Sequence, residues 1–313
     1  MAVLVTGGAG FIGSHLIDAL IGKGHEVKCI DNFSSGRKEF IEHSMENGLD
    51  LMEGDLLNRN DIKRALKECD TVFHLAANPD VRLGVEDTNV HLEQNIIATY
   101  NLLEEMREAG VKKIAFTSSS TVYGDAGQIP TPENYGPLIP ISLYGASKLA
   151  AEGLISSYCC TFDMQSTIYR FANVVGPRST HGVTYDFIKK LRINPDILEI
   201  LGDGSQKKSY LYISDCIEAM LFGMEKSESK VEIFNIGSED WIDVRRIADI
   251  ISEEMALSPD YKFTGGVDGG RGWKGDVKVM CLSIDKLKNL GWSPRYGSEQ
   301  SIRMTARWLI NHI

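Results

Sequence analysis

Residues 2–13 read Ala-Val-Leu-Val-Thr-Gly-Gly-Ala-Gly-Phe-Ile-Gly, and this stretch decides the fold. Ala2–Thr6 is a short apolar run, which predicts a buried strand, and Phe11–Lys23 has the spacing of a helix with one apolar face. Between them Gly7, Gly10 and Gly13 recur every third residue. One glycine permits the positive φ of a tight turn. Another lets the backbone approach a pyrophosphate, and the third lets the helix pack closely on the strand. The helix start at Phe11 and Ile12 then offers N–H groups and a partial positive charge to an anion. A second strand, Glu26–Ile30, runs into Asp31, 18 residues beyond Gly13, followed by Asn32. A carboxylate there accepts hydrogen bonds from an adenosine ribose and repels a 2′-phosphate. Glycines at this spacing alone read equally well as a simple turn. With the strand, the helix and the acid in order, they predict a dinucleotide site for NAD in preference to NADP. Arg37 is the one nearby residue that keeps NADP open.

The alternation continues along the chain. Strands are expected at Leu49–Met52, Thr71–Leu75, Lys113–Thr117 and Gln165–Phe171, and helices at Asn58–Glu68, Val90–Glu108 and Tyr144–Phe162. That rhythm implies an α/β fold, a doubly wound parallel Rossmann sheet over residues 1–175. After Gly176 short strands and glycine-rich segments take over. Residues 176–313 are expected to form a smaller mixed C-terminal substrate-binding lobe, with about 208–240 returning to the Rossmann domain. The long connections Gly124–Ser142 and Pro259–Gly275 read as binding loops.

The 313 residues are 43% hydrophobic and 24% charged with a net charge of −10, an ordinary globular balance that argues against nucleic-acid or anionic-membrane binding. Six cysteines lie scattered without ligand spacing, so buried reduced thiols and no metal are expected. No apolar run reaches the roughly 18 residues of a membrane span. No basic segment leads into a long apolar one at the N-terminus, and a cytoplasmic location is the expectation.

Chemistry-bearing residues cluster where the strands should end. Asp55, before Leu56, either reaches an adenine amine or caps the following turn. His74-Leu75-Ala76-Ala77 closes the fourth strand in small residues that leave room for a cofactor, His74 itself reading as a packed strand residue. Tyr144 and Lys148 stand at i and i+4 on one helix face. A nearby ammonium stabilises a phenolate, so the phenol is expected to titrate below its usual value and to serve as a general base. In isolation such a pair reads as a surface feature. The strand end Phe116-Thr117-Ser118-Ser119-Ser120-Thr121 reverses that reading, since it carries hydroxyls to the same sheet edge. At least one of those hydroxyls is expected merely to tie the loop to backbone amides.

Together TGGAGFIGSHL, the Asp31 strand end, GDL, HLAA, Asn95, SSSTVYG, YGASK, YRFANVVGPR and LGDGSQKKSYLYISD resemble the extended short-chain dehydrogenase/reductase family, in its NAD-dependent epimerase/dehydratase group. The resemblance covers nearly the whole chain. It implies NAD as cofactor and a UDP-sugar as substrate, most closely the C4 epimerisation of UDP-glucose and UDP-galactose through a 4-keto sugar. It makes Ser119 the catalytic hydroxyl, Tyr144 the base and Lys148 its partner. Asn95 is implied to hold Lys148 or the cofactor, and Thr121 and Asn173 to meet substrate. Arg178, Lys208 and Arg271 are implied diphosphate or uridine contacts, and Met280 and Cys281 border the hexose. Lys208 stands where relatives often have Arg, and Trp273 where many have the Arg before Gly275-Asp276. Sugar-nucleotide dehydratases carry an Asp-Glu pair where Ser120 and Thr121 stand here, and neither hydroxyl can drive loss of water. A homodimer through the Val90–Glu108 and Tyr144–Phe162 helices is also implied. A UDP-uronate 4-epimerase or decarboxylase, and a non-catalytic dinucleotide sensor, are the alternatives.

Overall fold

The computed structural model describes residues 1–313. By their internal contacts they form two compact units. The first comprises Met1–Val122, Leu143–Arg170 and Met220–Phe234, and the second Tyr123–Ser142, Phe171–Ala219 and Asn235–Ile313. This differs from the expected division in three ways. The segment Tyr123–Ser142 belongs with the second unit, the division falls after Arg170 rather than after Val175, and the returning piece is Met220–Phe234 rather than about 208–240.

The first unit is built on a seven-stranded sheet. Its strands β1 (Ala2–Thr6), β2 (Glu26–Asp31), β3 (Asp50–Glu53), β4 (Thr71–His74), β5 (Lys113–Ser119) and β6 (Gln165–Phe171) follow the expected segments closely. They lie in the order 3-2-1-4-5-6, with strand Val231–Ile236 outside β6. β1 pairs in parallel with both β2 and β4, so the strand order reverses beside it. In open α/β sheets ligands bind at the carboxyl ends of the strands at such a reversal. β1 is buried at all five positions, which is why it reads as a continuous apolar run rather than an alternation. Leu4, Ile30, Val72, Ile114, Phe116 and Ile168 from five of these strands share one core with Leu102, Met106, Ala151 and Ile155 from the covering helices.

The expected helix Val90–Glu108 is interrupted. A π-type turn spans Leu92–Ile97, and regular α-helix resumes at Ala98–Ala109, closed by Gly110 in the left-handed conformation. Such bulges concentrate at functional positions, and this one contains Asn95, which is 2% exposed. The helix Leu143–Phe162 is continuous.

The second unit gathers helices Val183–Ile193, Val244–Met255 and Ser298–His312 around a core of its own. Ile247, Ile250 and Ile251 present one helical face to Ile188, Leu191, Ile302 and Leu309. Three small sheets accompany them, pairing Tyr210–Tyr212 with Asn173–Val175, Asp260–Phe263 with Ile197–Ile200, and Lys207–Lys208 with both Ile242–Asp243 and Val279–Met280. No helix is long and apolar enough to cross a membrane. Five of the cysteines are buried, but Cys160 is exposed, against expectation, because it faces outward from its helix beside the buried Cys159.

Candidate active site

The glycine-rich turn separates its three glycines by what a side chain would meet. Gly7 has φ +69, and a Cβ on it would fall 2.7 Å from the Ala76 backbone. A Cβ on Gly13 would fall 2.3 Å from the Gly7 carbonyl oxygen, so helix α1 (Phe11–Gly22) packs on the turn only through glycine. Gly10 is different. Its φ is −76, open to any residue, and the Cβ's one close neighbour would be the Gly7 oxygen at 3.2 Å. The fold therefore asks less of glycine there than at Gly7 or Gly13, a shift of a few tenths of an ångström at one backbone oxygen. Gly10 precedes an α1 N-terminus with no side-chain cap, where Phe11 and Ile12 begin the helix. A bare backbone at an uncapped N-terminus fits a pyrophosphate.

Asp31 is 8% exposed, and its carboxylate accepts the Ala9 and Phe33 N–H groups at 2.9 and 2.8 Å. Burial pushes its pKa up, against those two hydrogen bonds. A carboxylate has about four acceptor sites, so it retains capacity for ribose hydroxyls. Gly36 passes beside it, where a Cβ would be 2.9 Å from Oδ1. Asn32 donates to Asp55 at 2.9 Å, while the same carboxylate accepts the Leu57 N–H at 2.8 Å. Asp55 thus holds a turn, whereas the cap of the Arg59–Ala65 helix is Asn58. Leu56 lends its carbonyl to Asn101. Leu75 and Ala76 lie against Gly7, and the chain bends at Ala77.

A directed hydrogen-bond chain ties β1 and β4 to Asn95. The Thr99 hydroxyl donates to the Asn95 carbonyl at 2.6 Å, so it must accept from His74 Nε2 at 2.9 Å. His74 Nδ1 then accepts the Thr6 hydroxyl at 2.8 Å, and Thr6 accepts the Ala76 N–H at 3.2 Å. His74 is fully buried, with burial pushing its pKa down to about 3, so it is a neutral strut. The Asn95 amide donates to Ser147 at 2.9 Å, and Ser147 to the Tyr144 carbonyl at 2.8 Å. Asn95 thereby holds the helix that carries Tyr144 and Lys148, instead of the Lys148 ammonium itself.

Ser119, Tyr144 and Lys148 come together in the first unit. The Tyr144 phenol is hydrogen-bonded to the Ser119 side chain. The Lys148 ammonium donates to the Thr117 carbonyl at 2.8 Å and stands 5.8 Å from the Tyr144 ring centroid and 4.9 Å from that of Phe116. His91 packs edge-on against the Tyr144 ring at 5.7 Å, in front of Gly84. The expectation of a lowered phenol is not met in the protein alone. Burial pushes Tyr144 up to about 12, with the Ser119 hydrogen bond opposing, and pushes Lys148 down to about 7, with Glu152 opposing. Desolvation disfavours phenolate and ammonium alike, and here it outweighs the Ser119 hydrogen bond and the Glu152 charge that oppose it.

Two residues of this centre escape sequence reasoning. Glu152 lies one turn beyond Lys148 and is gripped by Arg170 of β6 at 3.0 and 2.7 Å. Ser118 donates to the same carboxylate, so it is the serine of the three that serves structure. The i, i+4, i+8 series Tyr144, Lys148, Glu152 is the signal that could have pointed to Glu152. Arg170, 18 residues away, offers none.

In the second unit Lys208 and Arg271 converge on one acidic residue. Lys208 pairs with Asp276 Oδ1 at 2.6 Å and lies 5.5 Å from the Trp273 ring centroid. Arg271 holds Asp125 in a fork, at 3.1 and 2.8 Å, and donates to the Asp276 carbonyl at 2.5 Å. Both cations are therefore already paired. Asn173 donates its amide to the Ser209 carbonyl at 3.2 Å. Arg178 sits at φ +65 in a turn beginning at Gly176, where a Cβ would fall 2.4 Å from Ile213. Met280 and Cys281 are 8% and 2% exposed.

Residues 3–237 match the family described as NAD dependent epimerase/dehydratase. The chain is 30% identical over 323 residues to a UDP-glucose 4-epimerase of Corynebacterium glutamicum, covering 96% of this chain and 93% of that protein. It is 33% identical over 321 residues to a UDP-N-acetyl-alpha-D-glucosaminuronate decarboxylase of Bacillus cytotoxicus, covering 97% and 96%. A crystal structure of a UDP-galactose 4-epimerase superposes with a TM-score of 0.90 at 44% identity, over 100% of both chains.

Proposed function

The chain belongs to the NAD-dependent epimerase/dehydratase family of UDP-sugar enzymes, and from that premise we propose that it inverts C4 of a UDP-hexose. UDP-glucose and UDP-galactose are the proposed pair, with their N-acetylhexosamine counterparts as further substrates. The observation that carries this reading is the buried set Ser119, Tyr144 and Lys148, flanked by hydroxyls at positions 120 and 121 where water elimination would need acids.

Tyr144 takes the proton from the C4 hydroxyl and later returns it to the same oxygen on the other face of the sugar. Ser119 hydrogen-bonds the Tyr144 oxygen while that oxygen is the base, and once Tyr144 carries the C4 proton, Ser119 turns its own proton to the C4 oxygen as it becomes a carbonyl. Lys148, anchored to the Thr117 carbonyl, offers its charge to the phenolate. Asp31 and the backbone at Gly10 would hold NAD. Bound there, NAD supplies the reversible oxidation at C4 and a positive ring that favours the phenolate. Because Tyr144 ends each cycle as it began, the protein needs no external proton donor. We assign Asn173, Arg178, Lys208 and Arg271 to the UDP moiety. Lys208 and Arg271 would exchange Asp276 and Asp125 for phosphate oxygens. Thr121 is assigned to the sugar, as a hydrogen-bond acceptor.

The reading is tested by incubating the protein with UDP-glucose, UDP-galactose, their N-acetyl forms and UDP-glucuronate, and identifying each product. C4 epimers formed without stoichiometric loss of free dinucleotide support it. Carbon dioxide with a UDP-pentose would replace it with the decarboxylase reading, in line with the name of the Bacillus relative, and turnover of the uronate alone would replace it with the uronate-epimerase reading. We also propose a homodimer. Leu92, Ile97, Tyr100, Leu143 and Phe162 leave apolar surface exposed along the two helical segments, as a second copy would require. A monomeric mass by sedimentation would exclude it.

A further inference from the structure

We propose that Thr121 is a positioning residue, which fills both acceptor sites of the Ser119 hydroxyl and so turns its single proton toward the Tyr144 phenol oxygen. β5 ends at Ser119, and the chain turns at once into a tight helical turn, Ser120–Tyr123. That turn brings Thr121 back over Ser119. Its N–H lies 3.2 Å from Ser119 Oγ, and its own hydroxyl donates to the same oxygen at 3.0 Å.

A serine hydroxyl has one proton and two lone pairs. With both lone pairs taken by Thr121, the bond between Ser119 and Tyr144 has one polarity left, serine donating and phenol oxygen accepting. That polarity favours phenolate over phenol, whereas the reverse would hold the phenol in its neutral form. It opposes the burial that pushes Tyr144 up to about 12. The β-branched side chain suits this role, because Thr has few χ1 choices with which to swing the hydroxyl away. The role assigned to Thr121 by family resemblance, a substrate contact, is thereby narrowed. Its proton is committed to Ser119, and it can meet a ligand only as an acceptor.

The catalytic part of this proposal rests on the 4-epimerase reading, but the hydrogen-bond polarity does not, and the experiment keeps them apart. Protein loaded with NAD and labelled with ¹³C at the tyrosine ζ carbon is titrated by NMR, with Tyr144→Phe identifying the signal. Thr121→Val removes the hydroxyl and keeps the shape, and Thr121→Ser restores the donor. The Tyr144 midpoint is expected to rise by about half to one pH unit in Thr121→Val, the worth of one neutral hydrogen bond, and to return in Thr121→Ser. In the Ser119→Ala background the valine should add nothing further. In turnover, Thr121→Val should lower kcat several-fold with KM unchanged and move the acid limb upward by the same amount. An unchanged midpoint with a raised KM would make Thr121 a substrate contact and overturn the proposal. Equal losses in the valine and serine variants would reduce it to packing. Thr121→Ala serves if the valine does not fold. If no UDP-sugar is turned over, the function fails while the NMR midpoint still decides the role of Thr121.

Discussion

Arg170 holds Glu152 in a two-pronged grip, Nε to Oε1 at 3.0 Å and Nη2 to Oε2 at 2.7 Å, with the two side chains only 4% and 5% exposed. The pair links β6 to the helix of Tyr144 and places a carboxylate one turn beyond Lys148. Breaking a buried pair from one side strands a charge, at a cost of about 3–5 kcal/mol. Arg170→Met should therefore lower the urea midpoint strongly. Arg170→Met combined with Glu152→Gln should recover much of the loss, since neither charge then remains. Denaturation of both variants checks this, and a double variant no better than the single would show that packing, not charge, sets the loss.

Lys148 gives stability a pH signature. Its pKa in the fold, about 7, lies below the unfolded value near 10.4. Below about 7 both states hold the proton, and the cost of burying the ammonium is fully present. Between about 7 and 10 only the unfolded chain holds it, so stability rises with pH, by up to about 1.4 kcal/mol per pH unit. Tyr144 acts oppositely and later, because its raised pKa, about 12, makes stability fall once the unfolded phenol ionises above about 10. Urea midpoints at pH 7, 8 and 9 should climb in the native protein relative to Lys148→Met. Parallel slopes would mean that Lys148 titrates normally in the fold.

How much of this centre could be read from the chain depends on how local each feature is. The turn from β1 into α1, the acid at position 31 and the Tyr144/Lys148 spacing are short-range patterns, and the structure places them as the pattern dictates. The π-type turn around Asn95 leaves no trace, because one extra residue in a helix barely disturbs the apolar periodicity used to find it. The Arg170–Glu152 pair and the Lys208–Asp276 pair join residues 18 and 68 positions apart, and only the topology brings them together. The Tyr144 shift runs opposite to the sequence expectation for a different reason. Sequence shows the neighbouring charge but not the depth of burial, and burial dominates.

The glycines at 10 and 13 should fail in different ways. At Gly10 the backbone is ordinary and a methyl group meets only the Gly7 oxygen at 3.2 Å, so Gly10→Ala should fold with a thermal midpoint near that of the native protein. It should nevertheless emerge from purification with little NAD, since the methyl occupies the face offered to the pyrophosphate. At Gly13 a methyl meets the Gly7 oxygen at 2.3 Å and the Gly8 Cα at 2.7 Å, so Gly13→Ala should destabilise the fold itself. Thermal melts with dinucleotide content measured on the same samples separate the two. Equal melting losses would deny Gly10 its binding role.

Tyr144→Phe isolates the proton carrier. The ring is wedged against His91 and lies near Lys148, contacts that phenylalanine retains, so the fold and the bound NAD should survive. The change removes the one group placed to move a proton at the C4 oxygen while leaving Ser119 able to donate to it. General acid–base catalysis contributes about 10²- to 10⁴-fold, and kcat for UDP-glucose should fall by that order, with KM within a few-fold of native. The residual rate should also lose the acid limb of its pH profile, because the phenol that produces it is gone. Turnover close to native, or an acid limb that persists unchanged, would assign the proton transfer to another group and leave Tyr144 as packing beneath Lys148.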